Sequence, residues 1–202
     1  IFYFVAAMNA YNFYDGYDGQ LAINSIITII SIIFLNLSNG ETIIQNEFIT
    51  HFIIFTFIFL IFNVSNTRFK SFLGDSGSIT IGLFLSILVL EISIIKNYVN
   101  IILCLWLSLP LSDFFRVVIS RVLKSRNPTL SYQDHIHSIL SKKFNKKLWV
   151  NLITLSIQVF MIIMFIIFYY YDLILYSLIS YMLFFSVYYK IMEKLERSNS
   201  QL

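Results

Sequence analysis

Phe48-Ile49-Thr50-His51-Phe52-Ile53-Ile54-Phe55-Thr56-Phe57-Ile58-Phe59-Leu60-Ile61-Phe62-Asn63-Val64 is the stretch that decides the fold. It holds no Asp, Glu, Lys or Arg, and its apolar character is continuous rather than alternating. A run of this kind suits a helix crossing roughly 30 Å of hydrocarbon. A transmembrane barrel needs short segments of alternating polarity, so helices are favoured. Similar runs occupy residues 20–37, 79–95, 98–112, 148–170 and 173–189, and residues 1–8 read as the stub of an earlier span. The expectation is an all-α, polytopic transmembrane bundle of about six complete spans plus that N-terminal stub. It forms one integral-membrane domain over residues 1–202.

Composition agrees. The 202 residues are 58% hydrophobic, 18% aromatic and 12% charged, with mean hydropathy +0.78. A soluble domain is about a quarter charged, so this chain has too little polar surface to cover a water-exposed globule. A soluble enzyme, a disordered chain and a disulfide scaffold are excluded. Two prolines and six glycines leave few helix breaks, and Cys104, in an apolar run, is uninformative about redox compartment. The chain opens Ile1-Phe2-Tyr3-Phe4-Val5, without a basic n-region, which does not read as a signal peptide. It reads as the C-terminal portion of a longer protein whose first helices precede it.

Orientation follows from Lys and Arg in the short loops. With residues 9–19 in the cytoplasm, every one of the 14 basic residues except Lys96 lies on the cytoplasmic side. The net charge of +3 is too small to argue for nucleic acid. It is explained by this topology and by anionic headgroups, for which Lys142, Lys143, Lys146 and Lys147 form an anchor; phosphate binding is the alternative. The chemistry is expected in three cytoplasmic loops, residues 9–19, 65–78 and 112–147.

The first loop, Asn9-Ala10-Tyr11-Asn12-Phe13-Tyr14-Asp15-Gly16-Tyr17-Asp18-Gly19, crowds two amides and two carboxylates against a membrane boundary. Hard oxygen donors beside glycines suit a divalent cation and a phosphate. An ordinary helix-ending turn is the plainer alternative. The second, Phe72-Leu73-Gly74-Asp75-Ser76-Gly77-Ser78, places small residues before a helix start, where free N–H groups favour an anion. There Asp75 is placed to bridge a metal to that anion, while an N-cap role for Ser76 or Ser78 is compatible with it. The third carries Asp113, Arg116, Arg121, Arg126, Asp134, His135 and His137. The His-Ile-His pair fits phosphate donation better than zinc, since no further Cys or His stands at ligand spacing. Headgroup contact is the alternative for the arginines. Glu91 lies toward the outer end of its span, about one turn before Lys96, and reads as a paired or interfacial carboxylate outside the site.

Together the three loops resemble the polyprenyl-phosphate N-acetylhexosamine-1-phosphate transferases (glycosyltransferase family 4). Residues 9–19 match the Asn-Ala-x-Asn-x-x-Asp-Gly-x-Asp-Gly signature, and residues 72–78 the Phe-x-Gly-Asp-x-Gly-Ser loop. Pro110-x-x-Asp113, the following arginines and His135-Ile136-His137 are similar to the carbohydrate-recognition loop of the branch that uses UDP-N-acetylhexosamines, the undecaprenyl-phosphate GlcNAc-1-phosphate transferase-like branch. The resemblance covers residues 1–147, and the last two spans by topology alone. It implies transfer of a sugar 1-phosphate from a UDP-amino sugar to a polyprenyl phosphate, usually undecaprenyl phosphate. UMP is released, as a first membrane step of cell-envelope glycan synthesis at the bacterial cytoplasmic (inner) membrane.

By the same resemblance Asn12 and Asp75 hold Mg2+, with Mn2+ as the alternative ion. Asp15 and Asp75 are the catalytic acids, and Asn9, Asp15 and Phe72 contact the nucleotide. Arg121, His135 and His137 bind phosphate or sugar. An oligomer is compatible with all of this. Ser131-Tyr132-Gln133 stands where that branch has Pro-Asp-Arg, and Ser138 follows His137 where it has a further His, which leaves the donor sugar open. The family's Asp-Asp motif has no counterpart within residues 1–202. The expectation is therefore that this chain is inactive alone and active within its full-length parent. A phospho-N-acetylmuramoyl-pentapeptide transferase-like enzyme is the alternative within the class, though its tighter run of histidines is not matched. A non-catalytic membrane remnant or a transporter is the alternative outside it, though the spans offer little polar lining beyond Glu91 and His51.

Overall fold

The computed structural model describes residues 1–38, 46–95, 107–127, 134–144, 146–171 and 173–199. Among these, regular structure is entirely helical. In chain order the helices are α1 (Phe2–Tyr14), α2 (Gln20–Ser38), α3 (Asn46–Val64), α4 (Gly74–Ile95), α5 (Ser108–Leu123), α6 (Ile136–Lys143), α7 (Lys147–Tyr170) and α8 (Ile174–Asn199).

Their sequences account for their placement. Helix α3 is apolar all round and exposes Phe55, Phe57, Ile58, Ile61 and Phe62, as a lipid-facing span does. Helix α5 carries Pro110 in its first turn, where a missing N–H costs no helical bond. It also turns Asp113, Arg116 and Arg121 inward.

The core is organised by α1 against α4. Ala6, Ala7 and Ala10 on α1 are buried, and Gly82 of α4 faces them. A Cβ added to Gly82 would lie 2.9 Å from the Ala7 carbonyl oxygen and 2.9 Å from Tyr11 Cβ. Small residues let two backbones approach closely, which is the main source of packing between helices in lipid. Tyr11 extends the contact to α2 by donating its hydroxyl to Asn24 Oδ1 at 3.1 Å. Helix α1 also packs on α5, and α2 packs on α3 and α7. A second apolar cluster of Tyr14, Leu109, Ile136, Ile139, Val150 and Tyr188 joins α1, α5, α6, α7 and α8.

Four helices among the described residues are long and apolar enough to cross a membrane, not six: Glu47–Val64, Gly74–Glu91, Lys147–Tyr170 and Leu175–Asn199. Helix α2 forms where the 20–37 span was expected and is apolar over Gln20–Phe34 among the described residues, but it is not one of the four. Its Gln20, Asn24, Thr28 and Ser31 are buried polar residues. The expected 98–112 span lies outside the described residues up to position 106. Beyond that, α5 runs through position 112 to Leu123 with Asp113, Arg116 and Arg121 buried along it. Cys104, Lys96, Asp172, residues 131–133 and the outer segments 39–45 and 96–100 also lie outside the described residues.

Two loop boundaries move as well. Residues 9–14 belong to α1, so Asn9 and Asn12 are helical, and α4 begins at Gly74, so Asp75 to Ser78 form its first turn. Gly74 has φ +67, a left-handed conformation that glycine adopts without a Cβ penalty.

Gly82→Ala is predicted to lower stability by about 1–3 kcal/mol through overpacking, outweighing the helix propensity of about 1 kcal/mol that alanine gains over glycine. Thermal unfolding checks this; a raised melting temperature would mean the α1–α4 crossing is slack.

Candidate active site

The close crossing of α1 and α4 carries the end of one helix onto the start of the other. Ser78 Oγ donates to Asn12 Oδ1 at 2.6 Å. Asp75 stands exposed one turn earlier on α4, and Asp15 follows the last residue of α1. The Asp15 carboxyl is pushed up to about 6, first by burial and then by the negative charges of Asp18 and Asp75. Asp15 also lines a cavity of about 80 Å³ together with Phe72, Asp18 and Asn63.

A carboxylate made uncomfortable by burial and by a like charge is stabilised by a cation. The donors here are all oxygens: the Asp15 and Asp75 carboxylates and the remaining lone pair of Asn12 Oδ1. Among the described residues no three His, Cys, Asp or Glu side chains form a ready metal cage. A hard divalent ion can be held by one or two carboxylates, its shell completed by water and substrate phosphates. The residues present therefore fit a hard divalent cation.

Asp18 has a different part. It accepts from Lys70 Nζ and Lys147 Nζ, both at 2.7 Å, and its carbonyl accepts from Asn151 Nδ2 at 2.8 Å. Burial alone would raise its carboxyl, but the hydrogen bonds from Lys147 and Lys70 outweigh it and hold the group below the usual range. Asn63 completes the joint: its Oδ1 accepts from Gly19 N at 2.5 Å and its Nδ2 donates to Ser71 O at 3.0 Å. The first loop, the second loop and the start of α7 are thus tied at one point. Lys147, expected as part of a lipid anchor, is engaged here. Lys70 Nζ also lies 5.2 Å from the centroid of the Phe72 ring, which is 71% exposed and free to take a flat partner on its outer face.

The histidines approach from α5 and α6. Asp113, buried on α5, accepts from Arg116 Nε and Nη2 (3.2 and 2.9 Å), Tyr188 Oη (2.8 Å) and Ile136 N (3.2 Å). It also contacts His135 Nδ1 at 3.0 Å. Burial opposes the Asp113 charge, yet the Arg116 guanidinium and His135 overcome it and hold the carboxyl well below the usual range. Arg116 also donates to the Asp134 carbonyl. The His135 ring stacks with Phe13 (5.1 Å) and with His137 (5.9 Å). The first loop presses on His137 so closely that a Cβ on Gly16 would lie 2.1 Å from its Nε2. Burial pushes His137 down to about 4, so at neutral pH it is an uncharged ring rather than a cation.

The sequence-predicted residues therefore divide. Asp15 and Phe72 line the cavity, Asn12 is bonded to Ser78 in the first turn of α4, which also carries Asp75, and Asp75 lies within electrostatic range of Asp15. His135 and His137 reach the first loop and the end of α1 through Gly16 and Phe13. Arg121 does not join them there: it is 3% exposed, and its fork grips Asp134 at 2.9 and 2.6 Å. The Asn9 amide donates to Val5 O along α1 at 2.8 Å. Tyr188 was missed, because no spacing rule links α8 to α5 across 75 residues. Asn63 was missed for the same reason.

Asp113→Asn is predicted to cost about 3–5 kcal/mol, since it leaves the Arg116 charge buried without its partner. A carboxyl depressed in the folded state contributes stability above its unfolded value of about 4, and that stability is lost as pH falls below it. The deficit of Asp113→Asn should therefore be full in neutral thermal melts and shrink in acid. A deficit that does not change with pH would remove the charge as its cause.

No curated protein and no solved structure matches the chain. Residues 1–93, the part that carries Asn12, Asp15, Phe72 and Asp75 and ends before α5, match the family model described as Glycosyl transferase family 4.

Proposed function

We propose that the protein transfers a sugar 1-phosphate from a UDP-N-acetylhexosamine to a membrane polyprenyl phosphate and releases UMP. The observation that carries this reading is the grouping of Asn12, Asp15 and Asp75 by the α1–α4 crossing, inside the segment matched by the family model. Polyprenyl-phosphate sugar-1-phosphate transfer is the general activity that this family implies.

In chemical terms an oxygen of the lipid phosphate attacks the β-phosphorus of the UDP-sugar. The bond from that phosphorus to the bridging oxygen breaks, and the bridging oxygen leaves with UMP. Mg2+, or Mn2+ in its place, would be held by Asp75 and Asn12 and would neutralise the pyrophosphate charge. Asp15 lies beside this position and orients the nucleotide end of the substrate, and Phe72 offers its exposed face to the uracil. His135, with its Nδ1–H held by the Asp113 carboxylate, presents Nε2 to the substrate, as an acceptor from a sugar hydroxyl when the ring is neutral and as a donor to phosphate when it is protonated. Arg121 acts through Asp134, holding the segment before the histidines in place.

The cation and nucleotide half of the site lies in residues 9–19, 65–78 and 112–147 on the cytoplasmic side of a bacterial inner membrane, supported by the distribution of Lys and Arg. The donor branch rests on the third loop, which the family match does not reach.

The test is UMP release from UDP-N-acetylhexosamines and undecaprenyl phosphate, with Mg2+, in membranes carrying the full-length protein. Asp75→Asn is predicted to lower the rate by at least about 100-fold. Its melting temperature should change little, because Asp75 is exposed and makes no ion pair among the described residues. Unchanged transfer would refute Asp75 as a metal ligand.

A further inference from the structure

Behind the Asp18 joint, where α1, α2 and α7 meet, lies a small chamber that the proposed transfer does not use. Five polar side chains and two aliphatic ones line it; the polar ones are Tyr14, Gln20, Asn24, Asn151 and Thr154. Gln20, Asn24 and Thr154 are 2%, 3% and 2% exposed. The free volume for a water centre is about 10 Å³, close to the minimum that one molecule requires.

Four buried atoms of these residues have no hydrogen-bond partner: Gln20 Nε2, Gln20 Oε1, Asn24 Nδ2 and Asn151 Oδ1. The orientation of the two asparagine amides follows from their other ends. Asn24 Oδ1 accepts from Tyr11, and Asn151 Nδ2 donates to the Asp18 carbonyl. The Thr154 hydroxyl is already committed to the carbonyls of Val150 and Asn151. The Tyr14 hydroxyl also borders the chamber, within hydrogen-bonding range of Gln20, Thr154 and Asn24. The four atoms that find no partner of good geometry are two amide nitrogens and two carbonyl oxygens.

That set is the complement of a single water molecule, which has two lone pairs and two hydrogens to offer. A metal cation would face two N–H groups, and an anion two carbonyl oxygens, both repulsive. An apolar occupant would leave all four atoms unsatisfied, at a cost buried polar groups rarely bear.

We propose that this chamber is a binding site for one ordered water molecule, held by Gln20, Asn24 and Asn151. The water links the start of α2 to α7. Through Asn151 it supports the Asp18 carbonyl, so it is the last member of the joint that ties the first loop to the bundle. The inference does not depend on the transfer activity.

Two measurements test it. A density map of the full protein that resolves ordered water should show one peak about 2.7–3.2 Å from these amide atoms. An empty chamber, or a peak bonded elsewhere, overturns the proposal. The second is the melting temperature of Gln20→Met, which keeps the side-chain length and removes both polar atoms. With the water present, the variant strips it of two partners and melts roughly 2–8 °C lower. With a dry chamber, the same variant removes two unsatisfied groups and melts higher. An unchanged or raised melting temperature overturns the proposal, and the wild-type map decides the matter even if the variant does not fold.

Discussion

Everything at the site depends on how closely α1 and α4 approach. Gly82 lies against the backbone of Ala7 and the Cβ of Tyr11, at a separation that leaves no room for even one added carbon. Between helices in lipid there is little hydrophobic gain to be had, so backbone proximity and hydrogen bonds do most of the holding. Because the crossing is tight, the end of α1 meets the first turn of α4. Asn12 reaches Ser78, and Asp15 comes within electrostatic range of Asp75 although sixty residues separate them in the chain.

Around that crossing the carboxylates fall into two kinds. Asp18, Asp113 and Asp134 are held below the ordinary carboxylate range by lysine, arginine or histidine partners. They act as fasteners: Asp18 ties two loops to α7, Asp113 ties α5 to α8 and to the start of α6, and Asp134 holds Arg121. Asp15 is the opposite case, raised by burial and by neighbouring negative charge. The cation proposed above would give Asp15 the positive charge that the other three acids find within the fold.

Much of this was legible in the residues. Continuous apolar runs specify spanning helices whatever they pack against, so α3, α7 and α8 could be placed from composition alone. The motif residues at 9–19 and 72–78 could be singled out because carboxylates and amides are costly at a membrane edge. The count of spans was not legible in the same way. Helix α2 carries polar residues that turn inward, and α5 is amphipathic with its charges buried; whether such a helix spans or packs depends on its neighbours, which no local window contains. Arg121 shows the same limit. An arginine beside a histidine pair invites a phosphate, but its partner is Asp134, thirteen residues away across a turn.

The sequence by itself determined the medium, the helical class and the residue types available for chemistry, because hydropathy and motif spacing are local properties of the chain. Only the tertiary structure decided which acids are fasteners and which remain available. Pairing is a matter of distances between helices, and a few missing carbons at Gly82, Gly16 and the α1 alanines set those distances.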